Sequence, residues 1–270
     1  MSAGPLGRPA RVSAGPLGRS APVNAGPLGR PRLHLRRTDS TNERARLLAG
    51  AGAPHGTLVT ASEQTAGRGR QGRRWSAPPG RALLMSLVLR QPPALLPLAA
   101  AVAVAQAAEE SLGAADPGPP AGRVAIKWPN DVLLGGRKLA GILVEARPQE
   151  GWAVLGIGLN AAVAAEDLPP ELRPTAIGLG LEPADVEMVL GRVLKRLAGT
   201  LEATEQHVLE AWRARDALLG APVRWAGGEG VGAGIDGDGR LVVALSAGGQ
   251  TVLDAGEVHL GSSPEQPLES

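Results

Sequence analysis

Four apolar runs at residues 123–127, 131–134, 138–146 and 152–159 follow one another with only three, three and five residues between them. Parallel strands need a crossover of about a dozen residues or more, so these connections suit an antiparallel or mixed sheet and not repeated βαβ units. Two earlier runs, Thr57–Ala61 and Ala82–Leu89, read as further strands, the second apolar enough to be buried on both faces. Helices are expected at 43–48, after the cap-rich Thr38-Asp39-Ser40-Thr41-Asn42, and at 94–112, 184–199 and 203–219. From about residue 220 the pattern changes to short strands at 223–226, 231–235, 241–245, 251–253 and 257–260. Turn signals such as Asp236-Gly-Asp-Gly239 lie between them. The expected fold class is α+β, a mixed or antiparallel sheet with helices, followed by a small C-terminal β-barrel.

Composition narrows the chemistry. The 270 residues include no Cys, which excludes disulfides, thiolate nucleophiles and Cys-based zinc sites. His34, His55, His207 and His259 are scattered without metal-ligand spacing, so no protein-held metal site is expected. The longest mainly apolar stretch, Pro97–Ala108, has 12 residues, whereas crossing a bilayer takes about 20. With no apolar leader either, a cytoplasmic location is expected.

The N-terminus is of another kind. Ser2-Ala-Gly-Pro-Leu-Gly-Arg8 recurs at 13–19 and, with Asn24 for Ser, at 24–30. Each copy carries one Leu and a Gly-Pro turn signal, too little apolar surface to build a core. Residues 1–32 are therefore expected to be a low-complexity disordered extension, 33–219 the main domain, 220–262 the barrel and 263–270 a tail. Residues 1–37 hold seven of the 28 basic residues and no acid, which leaves 21 basic against 26 acidic in 38–270, a net charge of −5. The high isoelectric point belongs to the tail and does not mark the body as a nucleic-acid binder.

Three segments carry the chemistry. Gln64-Thr-Ala-Gly67-Arg68-Gly69-Arg70-Gln71-Gly72-Arg73-Arg74-Trp75 combines glycine backbone with four guanidinium groups, which suits phosphate or carboxylate oxygens. Its place between two buried strands favours a small ligand over RNA. Lys127-Trp-Pro-Asn-Asp131 precedes Arg137-Lys138-Leu-Ala-Gly141-Ile-Leu143, where Lys138 opens an apolar strand. Gly156-Ile-Gly158-Leu-Asn160-Ala161 formally matches a dinucleotide fingerprint, but Pro169-Pro170 follow within nine residues of Asn160 and leave no room for the helix that fingerprint requires.

Taken in order, Thr38–Asn42, Gln64–Arg70, Lys127–Asp131, Arg137–Leu143 and Gly156–Asn160 resemble the motifs of biotin–protein ligases over roughly residues 35–260. The resemblance implies a class II synthetase-like catalytic domain with an SH3-like C-terminal barrel. It implies that Ser40, Thr41 and Gln64 hydrogen-bond the biotin ureido ring. Arg68, Gly69 and Arg70 would form a phosphate loop that closes over biotin and its adenylate. Lys138 would face the biotin carboxyl and the α-phosphate, and Gly141, Gly156 and Gly158 would let backbone approach the ligand; Asn42, Gly67, Trp75 and Asn160 are implied as further ligand-binding residues. Lys138, Arg70 and Asp131 would be the catalytic groups, Asp131 as a base or orienting group for the acceptor amine. Biotin, ATP and magnesium are the implied small molecules, and a biotin carboxyl carrier protein is the implied acceptor. Monomer and homodimer both stay open. With the repeat occupying most of the residues before the first motif, neither a repressor domain nor sequence-specific DNA binding is expected. Two rivals remain: a lipoate–protein ligase-like acyltransferase, and an RNA-binding protein that uses the Arg/Gly loop.

Overall fold

A computed structural model describes residues 28–113, 124–254, 256 and 258–260. The Pro/Gly-rich residues 116–122, the expected tail at 263–270 and all but the end of the repeats lie outside the described residues. Seven strands form one sheet in the order β1-β2-β3-β7-β6-β5-β4. They are β1 (Arg32–Leu35), β2 (Leu58–Ala61), β3 (Leu83–Arg90), β4 (Val124–Lys127), β5 (Asp131–Leu134), β6 (Arg137–Arg147) and β7 (Trp152–Leu159). The short connections work as expected: β4, β5, β6 and β7 pair antiparallel with their sequence neighbours, and β7 closes against β3. β1 and β2 pair in parallel, so the sheet is mixed.

The residues just ahead of β1 already touch the body of the fold. Leu28 packs half-buried on the core, and Gly29 donates its N–H to the Gly56 carbonyl at 2.9 Å. The Leu58 N–H reaches the Pro31 carbonyl at 2.9 Å. Arg32 forms an ion pair with Glu187 and donates to Thr60 Oγ1 at 3.2 Å.

The crossover from β1 to β2 runs through helix α1 (Thr41–Gly50). It lies on one face of the sheet, with Ala45 and Ala49 buried against Val59, Val88 and Val154. On the other face lies α2 (Leu96–Ser111), buried from Leu96 to Ala108 except at Pro97 and Gln106. Its coverage comes from the sheet and from α3 (Val186–Glu202) and α4 (Glu205–Arg213). α3 buries one stripe, Val189, Leu190, Val193, Leu197 and Thr200, the spacing of an amphipathic helix. α4 is shorter than the expected 203–219. It stops at Arg213 because the chain turns to run beside β4, where the Ile126 N–H meets the Arg215 carbonyl at 2.7 Å and the Ala217 N–H meets the Ile126 carbonyl at 2.9 Å. No described helix is long and apolar enough to cross a membrane.

The C-terminal strands β8 (Pro222–Trp225), β9 (Gly228–Ile235), β10 (Leu241–Ala244), β11 (Gln250–Leu253) and β12 (His259–Leu260) form an antiparallel sheet in the order β11-β10-β9-β8-β12. It is tied to the larger unit beside β4. Trp128 donates its indole N–H to the Gly239 carbonyl at 3.0 Å, and Arg213 reaches the Ile235 carbonyl at 3.0 Å.

Candidate active site

Gly156 and Gly158 are two residues apart on β7 and so present the same face. Their register partners on β6 are Leu143 and Gly141, and on β3 Ser86 and Leu84. The missing side chains leave a hollow in the middle of the sheet, and two groups from outside fill it. A β-carbon on Gly156 would fall 2.0 Å from Asn42 Oδ1; one on Gly158 would fall 2.5 Å from Trp75 Cε2. Above Gly141 the Trp75 ring again sits 3.2 Å from where a β-carbon would be. A cleft of about 100 Å³ lies over this hollow.

One end of the cleft is neutral and rich in hydrogen-bonding groups. Ser40 has the extended backbone of an N-cap, yet its hydroxyl makes no capping bond to α1; the residue is buried and lines the cleft. Gln64 Oε1 accepts from the Thr41 N–H at 2.7 Å and from the Thr41 hydroxyl at 3.1 Å. Ser86, fully buried under α1, places its hydroxyl 2.8 Å from Thr41 Oγ1 and 2.6 Å from Asn42 Oδ1. Asn42 spends its amide N–H on Glu145 Oε2 at 2.8 Å. This end is thus braced by protein hydrogen bonds that fix which atoms face inward.

The other end is cationic. Between β2 and β3 the chain folds back on itself: Arg68 bridges Arg74, the Gly69 N–H reaches the Arg73 carbonyl at 2.7 Å, and the Trp75 N–H reaches the Gly67 carbonyl at 3.0 Å. Its tip needs left-handed backbone at Gln71 (φ 52°) and Gly72 (φ 75°). Arg70 extends from the tip to Asn130 Oδ1 at 3.2 Å, and Asn130 is itself held to β6 through the Ile142 carbonyl at 2.9 Å. Lys138 stands 2.7 Å from Asp131 Oδ1 and 5.9 Å from the centre of the Trp75 ring. Arg68 is flanked by Glu43 at 3.3 Å and Glu145 at 3.5 Å.

Charges beside the site are strongly coupled. The Asp39 carboxyl is held down to about 2 by the Arg44 guanidinium bonded to it, with help from the Ser40 N–H and the Thr38 hydroxyl. Glu43 lies below its usual value chiefly through its bond to Arg46, with Arg46 and Arg68 charges adding to it against desolvation. Among the described residues no group of three or more His, Asp or Glu is placed to hold a metal ion.

A model of the biotin/lipoate A/B protein ligase family matches residues 34–160. A biotin–[acetyl-CoA-carboxylase] ligase of Paracoccus denitrificans is 39% identical over 243 residues, spanning 84% of this chain and 99% of that protein. The chain belongs to the biotin–protein ligases. The bifunctional ligase/repressor BirA of Bacillus subtilis is 43% identical over 148 residues, 52% of this chain, but the match covers only 43% of that relative. A solved structure of the biotin protein ligase from Aquifex aeolicus in complex with biotin and ATP superposes with a TM-score of 0.72 at 28% identity, covering 87% of this chain and 100% of that one.

Within this ligase the sequence-predicted residues Ser40, Thr41, Asn42, Gln64, Arg68, Gly69, Arg70, Trp75, Asp131, Lys138, Gly141, Gly156 and Gly158 line one cleft. Gly67 and Asn160 do not. Gly67 gives the Trp75 carbonyl and the Gln64 amide room to pass, 2.4 and 2.9 Å from a β-carbon there. Asn160 is buried and donates to the Ile177 carbonyl at 3.1 Å, holding the 176–179 segment beside β6. Above Gly156 and Gly158, where ligand was expected to approach bare backbone, the Asn42 and Trp75 side chains are seated. Arg73 and Arg74, read in the sequence only as part of the guanidinium-rich loop, also line the cleft, as do Met85 and Asn130, which carried no expected role. Asn130 stood inside a quoted motif, while Ser86 and Glu145 are linked to the site only through side chains distant in sequence.

Proposed function

We propose that the chain activates biotin with ATP to biotinyl-AMP and transfers the biotinyl group to a lysine of a biotin carboxyl carrier protein. One observation carries this reading: a neutral hydrogen-bonding end and a cationic end share a single cleft. A urea needs fixed neutral donors and acceptors, whereas a carboxylate meeting a triphosphate needs cations. Ser40, Thr41, Asn42 and Gln64 bind the ureido ring. Lys138 faces the biotin carboxylate and the α-phosphate, and Arg68 and Arg70 face the phosphates.

In the first step a biotin carboxylate oxygen attacks the α-phosphorus and pyrophosphate leaves. Lys138, Arg68 and Arg70 offset the repulsion between the anions and stabilise charge on the transferring group. In the second step the acceptor amine attacks the anhydride carbonyl, loses a proton as the amide forms, and AMP departs. Asp131, already bonded to Lys138, orients that cation and borders the path of the amine. The loop from Gly67 to Trp75 shields the anhydride from water. Magnesium typically binds through one or two carboxylates and substrate phosphates; here it would enter with ATP, Asp131 being the cleft carboxylate nearest the phosphate-facing cations.

We assign the larger unit, through residue 219, to the catalytic domain and the strands from residue 220 on to an SH3-like barrel, and place the activity in the cytoplasm. A body of net charge −5 over 38–270 argues against a nucleic-acid role. The test is exchange of radiolabelled pyrophosphate into ATP. Exchange should require biotin and should not be supported by lipoate, and a carrier domain should gain one biotinyl mass on a lysine. Exchange with lipoate alone, or none with either acid, overturns the reading.

A further inference from the structure

Glu145 lies on β6 on the same face as Gly141 and Leu143, next to the hollow but outside the residues that line the cleft. Its two oxygens have different partners. Oε2 accepts from the Asn42 amide at 2.8 Å, and Oε1 stands 3.5 Å from the Arg68 guanidinium. Those partners belong to the two ends of the site: Asn42 to the neutral end, Arg68 to the phosphate-facing loop. The carboxylate is only partly exposed, with 30% of its side chain open to water.

A negative charge this close to a site for a triphosphate weakens binding unless it is spent on a cation. Glu145 is spent on Arg68, together with Glu43 on the opposite side at 3.3 Å. The bond to Asn42 does a second job. It engages the amide N–H and so turns Asn42 Oδ1 towards Ser86, over Gly156, where it leaves no room for a β-carbon. Without that anchor nothing prefers one orientation of the amide over the other beyond the Ser86 hydroxyl.

We infer that Glu145 is a positioning residue that couples the two halves of the site, fixing the polarity of Asn42 through one oxygen and the place of Arg68 through the other. The inference rests on the proposed biotin and ATP chemistry. Its two functions separate by substitution. Glu145→Gln keeps an acceptor for the Asn42 amide but loses the charge that holds Arg68; Glu145→Ala loses both.

The measurement is biotin-dependent ATP–pyrophosphate exchange, with KM for biotin and for ATP determined separately, alongside thermal denaturation. Glu145→Gln should raise KM for ATP roughly two- to fivefold, the range of a partly exposed ion pair, with KM for biotin unchanged and the ATP effect shrinking at high salt. Glu145→Ala should raise both constants. In an Arg68→Gln background, Glu145→Gln should add nothing to the ATP effect, since the pair is already broken. Equal changes in both constants for Glu145→Gln, an unchanged KM for ATP, or full additivity with Arg68→Gln overturns the inference, and the cycle keeps the test decisive if the alanine variant is unstable. Absence of biotin-dependent exchange in the unsubstituted chain would instead overturn the functional reading on which it rests.

Discussion

Trp75 lies flat across Gly158, its Cε2 atom 2.5 Å from where a β-carbon on that glycine would be. The phosphate-facing loop is therefore seated on the sheet by a ring-on-backbone contact that only glycine permits. Gly158→Ala should unseat the ring, and overpacking of this kind typically costs about 1–3 kcal/mol. Loss of the seat should show as weaker biotin binding by calorimetry and slower adenylate formation. A variant that binds biotin as the parent does would show that the loop does not depend on this seat.

Lys138 is paired with Asp131 at 2.7 Å, and about a third of its side chain is open to solvent. Partly exposed pairs contribute on the order of 0–1 kcal/mol to folding, whereas a cation placed on a transferring phosphoryl group is worth roughly 10²–10³ in rate. Lys138→Ala should thus melt within a few degrees of the parent while exchange falls by about a hundredfold or more. Near-normal exchange would remove Lys138 from the chemistry.

Asp39 gives the site a pH dependence. Its folded value, about 2, lies below the ordinary 3.8, so its contribution to stability is present above the ordinary value and is lost as pH falls from near 4 towards 2. The carboxylate receives the Ser40 N–H at 2.7 Å at the start of α1, so biotin binding should weaken over the same acid range. Asp39→Asn should lower stability at neutral pH and flatten the acid limb of a stability–pH curve. An unchanged limb would place that dependence on other carboxyl groups.

What the residues just ahead of β1 contribute can be measured by comparing two truncations. A chain beginning at Leu28 keeps the Leu28 packing and the Gly29–Gly56 and Pro31–Leu58 hydrogen bonds; one beginning at Arg32 loses all three. At about 1 kcal/mol per hydrogen bond, the shorter chain should melt several degrees lower. Equal melting temperatures would mean that Leu28–Pro31 contribute nothing.

Much of this was readable from residue order. The three short connections between 123 and 159 dictated antiparallel pairing, and the observed β5 and β7 match their expected bounds at 131–134 and 152–159. The motif residues converge because the start of α1, the loop before β3, the start of β5 and strands β6 and β7 bring five separate segments to one cleft. Other features lay beyond sequence pattern. Arg32–Leu35 is a strand only because β2 lies beside it, in a stretch whose arginines and repeat-like neighbours gave no strand signal. α4 ends early because of a backbone pairing with Ile126, which helix periodicity does not encode. Gly156 and Gly158 signalled close approach correctly but not what approaches. Glu145 was missed because its partners, Asn42 and Arg68, lie 103 and 77 residues away.

The seat of Trp75 also has an optical consequence. With no tyrosine or phenylalanine in the chain, near-ultraviolet emission comes from five indoles alone. Trp128, Trp152 and Trp212 are buried in apolar packing, and Trp225 belongs to the C-terminal sheet. Of the five, Trp75 is the one that lines the cleft over Gly156 and Gly158, with its ring N–H buried and without a hydrogen-bond partner. A ligand that displaces the ring, or hands that N–H an acceptor, changes the polarity around that fluorophore. The molecule carries a built-in spectroscopic gauge of its own loop, readable without a label.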